Sequence, residues 1–89
     1  MNALPTALPP HPLREHAFGV WAEVCSVDLP ADEARWLAAL GVHPGARLVV
    51  LRRAILGGPF HVRTASGGAF ALGDALASRV QVTLARPVE

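Results

Sequence analysis

The chain has 89 residues, of which 52% are hydrophobic and 17% are charged, and this composition predicts one folded domain with a modest core. The formal net charge of +1 gives no strong attraction to nucleic acid or to acidic lipid, and we expect neither as a partner. The sequence has no run of about 18 apolar residues, no signal-peptide pattern and no second cysteine beside Cys25, which predicts a cytoplasmic protein that does not insert into membranes.

The first segment, residues 1–17, is rich in proline, which lacks a backbone N–H and so prevents a regular helix. We predict an extended arm over this range, followed by one domain over residues 18–89. The domain begins with "VWAEVCSV", from Val20, in which apolar residues alternate as in a half-buried strand. The arm contains leucines that we expect to pack against the domain: Leu4, Leu8 and Leu13.

The segment "DLPADEARWLAALG" has the pattern of a short amphipathic helix. Asp28 is the expected N-cap, Pro30 suits the first turn, and Gly41 is expected to end the helix in a left-handed conformation. Three apolar residues share one face at helical spacing and are expected to contact the core or the interface with the sheet: Trp36, Leu37 and Leu40.

The second half of the chain predicts short strands joined by glycine turns. "RLVVLRRAIL" and "PFHVRT" form a hairpin around Gly57 and Gly58, and "SGG" leads into the strand "AFAL". A short helical turn follows near Asp74, and "VQVTLA" completes the fold. In all, the sequence predicts about five short strands and one helix. We expect this mainly β fold to close into a small barrel, because closure removes exposed strand edges.

The order of these segments resembles the FeoA family of small ferrous iron transport proteins. The resemblance covers residues 20–84 and includes "LAALGVHPG", an aliphatic strand followed by "RRAILGGP", and an "aLxxxxAxxV" segment with Leu72, Ala77 and Val80. A related domain occurs at the C-terminus of iron-dependent repressors of the DtxR type. The resemblance implies an SH3-like β-barrel with one added helix. It also implies a cytoplasmic, non-enzymatic accessory of a FeoB-type ferrous iron transporter, a membrane protein with a GTP-binding domain.

Two features depart from the pattern of the family. Its common "APLGDP" is "AILGGP" here, so Ile55 stands in place of a proline and Gly58 in place of an acidic residue. We therefore expect a loop that is more flexible and less polar than in the family. The proline-rich arm also takes the place of the family's usual "LxxLxxG" lead-in.

The glycine turn carries the predicted partner-binding residues. Ile55 and Leu56 either project from the hairpin as an apolar anchor for a groove on the partner, or fold under the turn and complete the core. Arg52 and Arg53 either contact an acidic surface or a nucleotide phosphate, or are solvated strand residues whose stems cover the core. The turn itself adds three residues to this predicted site: Gly57, Gly58 and Pro59.

The histidines and Cys25 show no ligand spacing such as CxxC, HxxxH or HExxH, so no metal site is predicted. No arrangement of serine, histidine and carboxylate indicates catalysis, and no catalytic residue is assigned. The primary hypothesis is a protein-binding module for the transporter, located in the cytoplasm and reaching the inner membrane only through that partner. The alternative is a metal-responsive regulatory domain in which histidine or carboxylate groups take a divalent transition metal such as Fe²⁺, Mn²⁺ or Zn²⁺.

Overall fold

The computed structural model describes residues 9–86, which form an antiparallel sheet and two α-helices. No helix in this range is long and apolar enough to cross a bilayer. The mainly β, SH3-like fold class is confirmed, with one strand more than predicted in the described range. The strands are β1 (His11–Pro12), β2 (Ala22–Val27), β3 (Arg47–Arg53), β4 (Phe60–Thr64), β5 (Ala69–Leu72) and β6 (Val80–Leu84). The helices are α1 (Ala31–Ala39) and α2 (Asp74–Ala77), and a 3₁₀ turn spans Leu13–Glu15.

The sheet runs in the order β1-β6-β2-β3-β4-β5, and all neighbouring strands are antiparallel. The last strand in the sequence, β6, therefore lies between β1 and β2, so the first and last strands of the described chain are paired with each other. The register shifts at two bulges, one at Cys25 in β2 and one at Leu51 in β3. Both bulged residues are exposed. Such bulges bend a strand and increase its twist.

The core lies on the inner face of the sheet and consists mainly of aliphatic side chains, with Phe60 as its largest member. Alternate residues of each strand contribute to it, as in β6, where Val80 and Val82 are fully buried and Gln81 between them is half-buried. Helix α1 contributes Leu37. The buried core residues are Leu13, Ala22, Val24, Leu37, Val42, Leu48, Val50, Phe60, Val62, Leu72, Ala77, Val80 and Val82.

The beginning of α1 and its packing differ from the prediction. Pro30 immediately precedes the helix and no side chain caps it, so the predicted N-cap at Asp28 is wrong. Trp36 is 54% exposed, so its predicted place in the core or at the interface with the sheet is also wrong. Only Leu37 of the predicted face is fully buried, while Leu40 is half-buried. Successive helical residues point about 100° apart, and an interface centred on Leu37 leaves its neighbour in solvent.

The end of α1 confirms the predicted glycine stop. Gly41 has a φ of +100°. Its N–H donates to Ala38 O at 3.0 Å, and the N–H of Val42 donates to Leu37 O at 2.9 Å. These two bonds form the Schellman motif, in which the residue after the helix adopts a positive φ. The motif places Val42 and Leu37 together in the core.

Part of the proline-rich segment joins the sheet and the core. Strand β1 pairs with β6, which agrees with the expected extended conformation. The 3₁₀ turn that follows buries Leu13, which is 1% exposed, as predicted for a leucine that packs against the domain. The turn itself was not expected from the sequence. Leu4 and Leu8 lie outside the described residues.

Two histidines fasten this segment to the start of β2. Nδ1 of His11 donates to Pro9 O at 2.9 Å, and Nε2 of His16 donates to Val20 O at 3.0 Å. The remaining ring nitrogens, His11 Nε2 and His16 Nδ1, lie 2.8 Å apart, and the two ring planes are within 9° of each other. Burial, and then the neighbouring His11, lower the pKa of His16 below its usual value of 6.5.

Candidate functional site

The predicted partner-binding residues occupy the loop that joins β3 to β4. The sequence predicts a strand that continues through Leu56, but β3 ends before the loop, so the prediction is too long. The N–H of Ala54 donates to Pro59 O at 2.9 Å and closes the loop. The N–H of Gly58 is shared between the carbonyls of Ala54 and Ile55, each at 3.2 Å. The loop is therefore a compact, hydrogen-bonded turn rather than an extension of the strands.

The backbone of the loop reverses through two consecutive residues with positive φ, Leu56 at +58° and Gly57 at +73°. Leu56 is the only non-glycine residue with a positive φ in the part of the chain that the structure describes. A left-handed conformation costs about 1–2 kcal/mol for a residue with a Cβ. Other contacts of the loop must therefore hold this conformation.

Both apolar side chains of the loop point into solvent. Ile55 is 85% exposed and Leu56 is 99% exposed, the largest values among the big hydrophobic residues of the described range. The sequence left two alternatives for Ile55 and Leu56, and the structure shows that both side chains project from the loop and are not buried under the turn. The loop therefore presents two adjacent aliphatic side chains at its tip, a surface of the kind that interaction sites use.

Arg53 braces the loop from the side of the sheet. Its Nε donates to Gly58 O at 3.1 Å, and its Nη2 donates to Gly57 O at 3.3 Å and to Asp74 Oδ1 at 3.0 Å. The guanidinium also lies 4.6 Å from the centroid of the Phe60 ring, in the geometry of a cation–π contact. Arg53 is thus engaged within the protein and holds the carbonyls of the glycine turn in place.

The remaining predicted residues of the site differ in their surroundings. Arg52 is exposed and makes no ion pair with any residue from 9 to 86, and Pro59 is also exposed. Gly58 is half-buried, and a Cβ built on it would lie 2.7 Å from the Cβ of Ala54. The acidic residue that the family pattern has at this position would require the backbone to move. The loop therefore has a shape that depends on this chain's own glycine.

The histidines and the cysteine are dispersed over the fold. Within residues 9–86, no group of three or more His, Cys, Asp or Glu side chains could hold a metal ion. His11 and His16 contact each other, His43 lies in the turn before β3, and His61 lies in β4. Cys25 is exposed at the β2 bulge. No metal-ligand set is formed from these residues in the described range.

Sequence reasoning missed a second group of exposed apolar residues, near the start of β2. Phe18 is 53% exposed, Leu51 is 48% exposed, and Trp21, which immediately precedes β2, is 41% exposed. The N–H of Gly19 donates to Val50 O at 2.8 Å, which brings this segment beside β3. The alternating pattern predicts a regular strand at Leu51, and a bulge leaves no sequence signal of its own there.

A family of known proteins matches most of the chain. The family model described as the FeoA domain matches residues 11–84, which include the β3–β4 loop. No curated protein matches the chain.

Solved FeoA structures are similar to this chain over most of its length. FeoA from Chlorobium tepidum is 35% identical, with a TM-score of 0.77, over 88% of this chain and 73% of that one. FeoA from Stenotrophomonas maltophilia, solved in complex with zinc, is 35% identical, with a TM-score of 0.65, over 80% of this chain and 87% of that one. It is described as a prokaryotic SH3 domain protein proposed to act as a ferrous iron transport activating factor.

A transcriptional regulator contains a similar domain. A manganese-dependent repressor, solved in complex with manganese, is 28% identical, with a TM-score of 0.75. The similarity covers 86% of this chain but 38% of the repressor. The shared part is therefore one portion of a larger regulator.

Proposed function

Because this chain belongs to the FeoA family, we propose that it is a cytoplasmic, non-enzymatic accessory protein of ferrous iron uptake that binds a FeoB-type GTP-binding transporter. The observation that carries the proposal is the fully exposed Leu56 at the tip of the β3–β4 loop. Together with Ile55, it is the apolar anchor that enters a groove on the cytoplasmic portion of the transporter. The protein reaches the inner membrane through this partner.

The contacts of the loop support a role in binding. Leu56 is held in a left-handed conformation, and Arg53 fixes the two following carbonyls, so the anchor is in position before a partner arrives. Such preorganisation lowers the entropy lost on association. Full burial of a Leu or Ile side chain contributes about 1.5–3 kcal/mol. The exposed Arg52 supplies a polar rim beside the anchor.

The test is a titration of the full chain with the isolated GTP-binding domain of the transporter, followed by calorimetry. The informative variant is Leu56→Asn, because asparagine tolerates the left-handed conformation better than leucine and should not unfold the protein. Loss of one buried leucine corresponds to about 10- to 100-fold weaker binding. The matched control is Leu84→Asn, at a leucine that is 42% exposed and lies in β6, away from the loop.

The two variants separate docking through the loop from a general effect of removing surface apolar area. We expect Leu56→Asn to weaken binding and Leu84→Asn to leave it within about twofold, since surface substitutions away from a contact have small effects. Equal affinities of Leu56→Asn and the parent protein would refute docking through this loop. Absence of any complex with the parent protein would refute the transporter as its partner.

The alternative of a metal-responsive regulatory domain is supported by the similarity to the manganese-dependent repressor. We favour the accessory function because the FeoA family model covers the β3–β4 loop and because that loop presents an unburied anchor. Calorimetry of the purified chain with Fe²⁺, Mn²⁺ and Zn²⁺ decides between them. Micromolar or tighter binding of one ion, with a change in the protein's affinity for a second molecule, would favour the regulatory alternative.

A further inference from the structure

A pocket with a volume of about 310 Å³ opens where two turns of the fold meet. One wall is the turn between α1 and β3, and the other is the turn between β4 and β5. The volume is at the lower end of the range for small-molecule sites and accommodates a group about the size of an amino-acid side chain or a short acid. Its lining combines three polar side chains with four small residues: His43, Arg47 and Ser66, and Gly41, Gly45, Ala46 and Ala65.

The two walls are fixed to each other by close contacts. A Cβ on Gly41 would lie 3.1 Å from Ser66 Oγ, so the turns approach each other at a point where only glycine fits without adjustment. The N–H of Ala65 donates to Arg47 O at 2.9 Å and joins the second turn to the start of β3. The N–H of Ala46 donates to His43 O at 2.9 Å and closes the first turn. The pocket is therefore preformed and does not need a loop to move.

The polar groups of the pocket favour a negatively charged ligand. Arg47 is half-buried and forms no ion pair with the rest of the described chain. Glu23 lies directly opposite it on β2, but the carboxylate of Glu23 is directed to Arg86, with Oε2 at 3.8 Å from Nη2. No acidic residue lines the pocket. The guanidinium of Arg47 thus has no carboxylate partner in the described range, and Ser66 and His43 line the same pocket.

We propose that this pocket binds a carboxylate group. The planar guanidinium of Arg47 offers two parallel N–H donors to a carboxylate. Ser66 Oγ lies 3.0 Å from Thr64 Oγ1, and when the Thr64 hydroxyl donates in that bond, the Ser66 hydroxyl is a third donor from the opposite wall. One permanent positive charge matches one carboxylate, whereas a phosphate group carries up to two negative charges and is usually held by several cations or by backbone N–H groups. The carboxylate belongs either to a small free acid or to an acidic side chain of a protein.

This site is separate from the proposed docking loop. Arg47 is the first residue of β3, and the loop begins after its last residue. The strand has seven residues, so the two sites lie about 20 Å apart along it. A ligand in the pocket and a partner at the loop can therefore bind at the same time, and the failure of one proposal leaves the other standing.

The test is a titration of the full chain followed by NMR of its backbone amides. The probes are sodium glutarate, a short blocked peptide with one glutamate, and inorganic phosphate, all at matched ionic strength. We expect saturable shifts of the amides of Gly41, Ala46 and Ser66 with glutarate or with the peptide. Saturation by glutarate alone assigns the site to a free acid, and saturation by the peptide assigns it to a protein side chain.

Variants connect the shifts to the pocket. We expect Arg47→Gln to weaken binding at least about tenfold, because it removes a charge-assisted pair of hydrogen bonds. The control is Arg63→Gln, since Arg63 is an exposed strand arginine without an ion pair in the described range and does not line the pocket. If the NMR spectrum of Arg47→Gln shows that this variant is unfolded, Ser66→Ala is used as the pocket variant instead. We expect Ser66→Ala to weaken carboxylate binding several-fold.

Three outcomes would overturn the proposal. The first is that neither acid saturates at tens of millimolar. The second is that phosphate binds more tightly than both acids. The third is that the folded pocket variant binds with the same affinity as Arg63→Gln.

Discussion

Gly41 combines a positive φ with close contacts to neighbouring side chains, and replacing it with alanine tests how much each of these costs. Gly41 has a φ of +100° and lies against the side chains of Ser66 and Thr64. Gly67 has nearly the same φ, +106°, but a Cβ there would meet nothing within 4 Å. The pair Gly41→Ala and Gly67→Ala therefore separates the cost of the backbone conformation from the cost of the contact.

The expected magnitudes follow from these two environments. The positive φ costs about 1–2 kcal/mol for alanine at either position. At Gly41 the new Cβ would also lie 3.1 Å from Ser66 Oγ and 3.2 Å from Thr64 Cγ2 and Oγ1. Thr64 is 2% exposed and cannot withdraw, and overpacking of this kind costs about a further 1–3 kcal/mol. We expect Gly41→Ala to destabilise the protein by about 2–5 kcal/mol and Gly67→Ala by about 1–2 kcal/mol.

Urea denaturation of the two variants and the parent protein measures the difference. Unchanged slopes with shifted midpoints would show that the free energy of unfolding alone has changed. Equal losses at Gly41 and Gly67 would refute the argument from close contact. A larger loss of unfolding free energy for Gly67→Ala would show that the hairpin turn at Gly67 tolerates a Cβ less well than the junction of the two turns at Gly41.

Three further predictions concern the fastening of the N-terminal segment and the brace of the loop. Leu13→Ala should lower the free energy of unfolding by about 2–5 kcal/mol in urea denaturation, because it opens a cavity in the core. Asp74→Asn should cost less than about 1 kcal/mol, because its ion pairs are partly exposed, but it should speed amide exchange in the loop that Arg53 braces. The lowered pKa of His16 means that unfolded His16 takes up a proton near pH 6.5 while folded His16 resists it. Stability should therefore be complete above pH 6.5 and fall as the pH drops below it, and His16→Gln should flatten this dependence in denaturation curves measured from pH 7.5 to 5.

Local sequence signals were sufficient to predict the boundaries of the elements that end at a glycine. The predicted strand "AFAL" is β5 without error, because Gly68 and Gly73 stand on either side of it. The helix stop at Gly41 was predictable for the same reason. Alternating apolar residues also indicate which face of β6 is buried, since Val80 and Val82 belong to the core.

The parts that the sequence does not predict depend on residues that are far apart along the chain. The orientation of the loop depends on the hydrogen bond between Arg53 and Asp74. These residues are 21 apart in the sequence, and no local sequence pattern predicts that they pair. The position of Trp36 depends on how narrow a face of α1 the sheet covers, which is a property of the packed fold. The pocket beside Arg47 exists only because two separate turns meet across Gly41.

The pair of histidines that fastens the N-terminal segment has a consequence that follows from counting protons. Pro9 O, Val20 O and the nitrogen-to-nitrogen contact between His11 and His16 each need one ring N–H if all three contacts are hydrogen bonds. Two neutral imidazoles carry one N–H each. Two neutral imidazoles therefore satisfy two of these three contacts at any one time. The lowered pKa of His16 favours this neutral state, so two ring hydrogen bonds, and not three, hold the N-terminal segment at any one time.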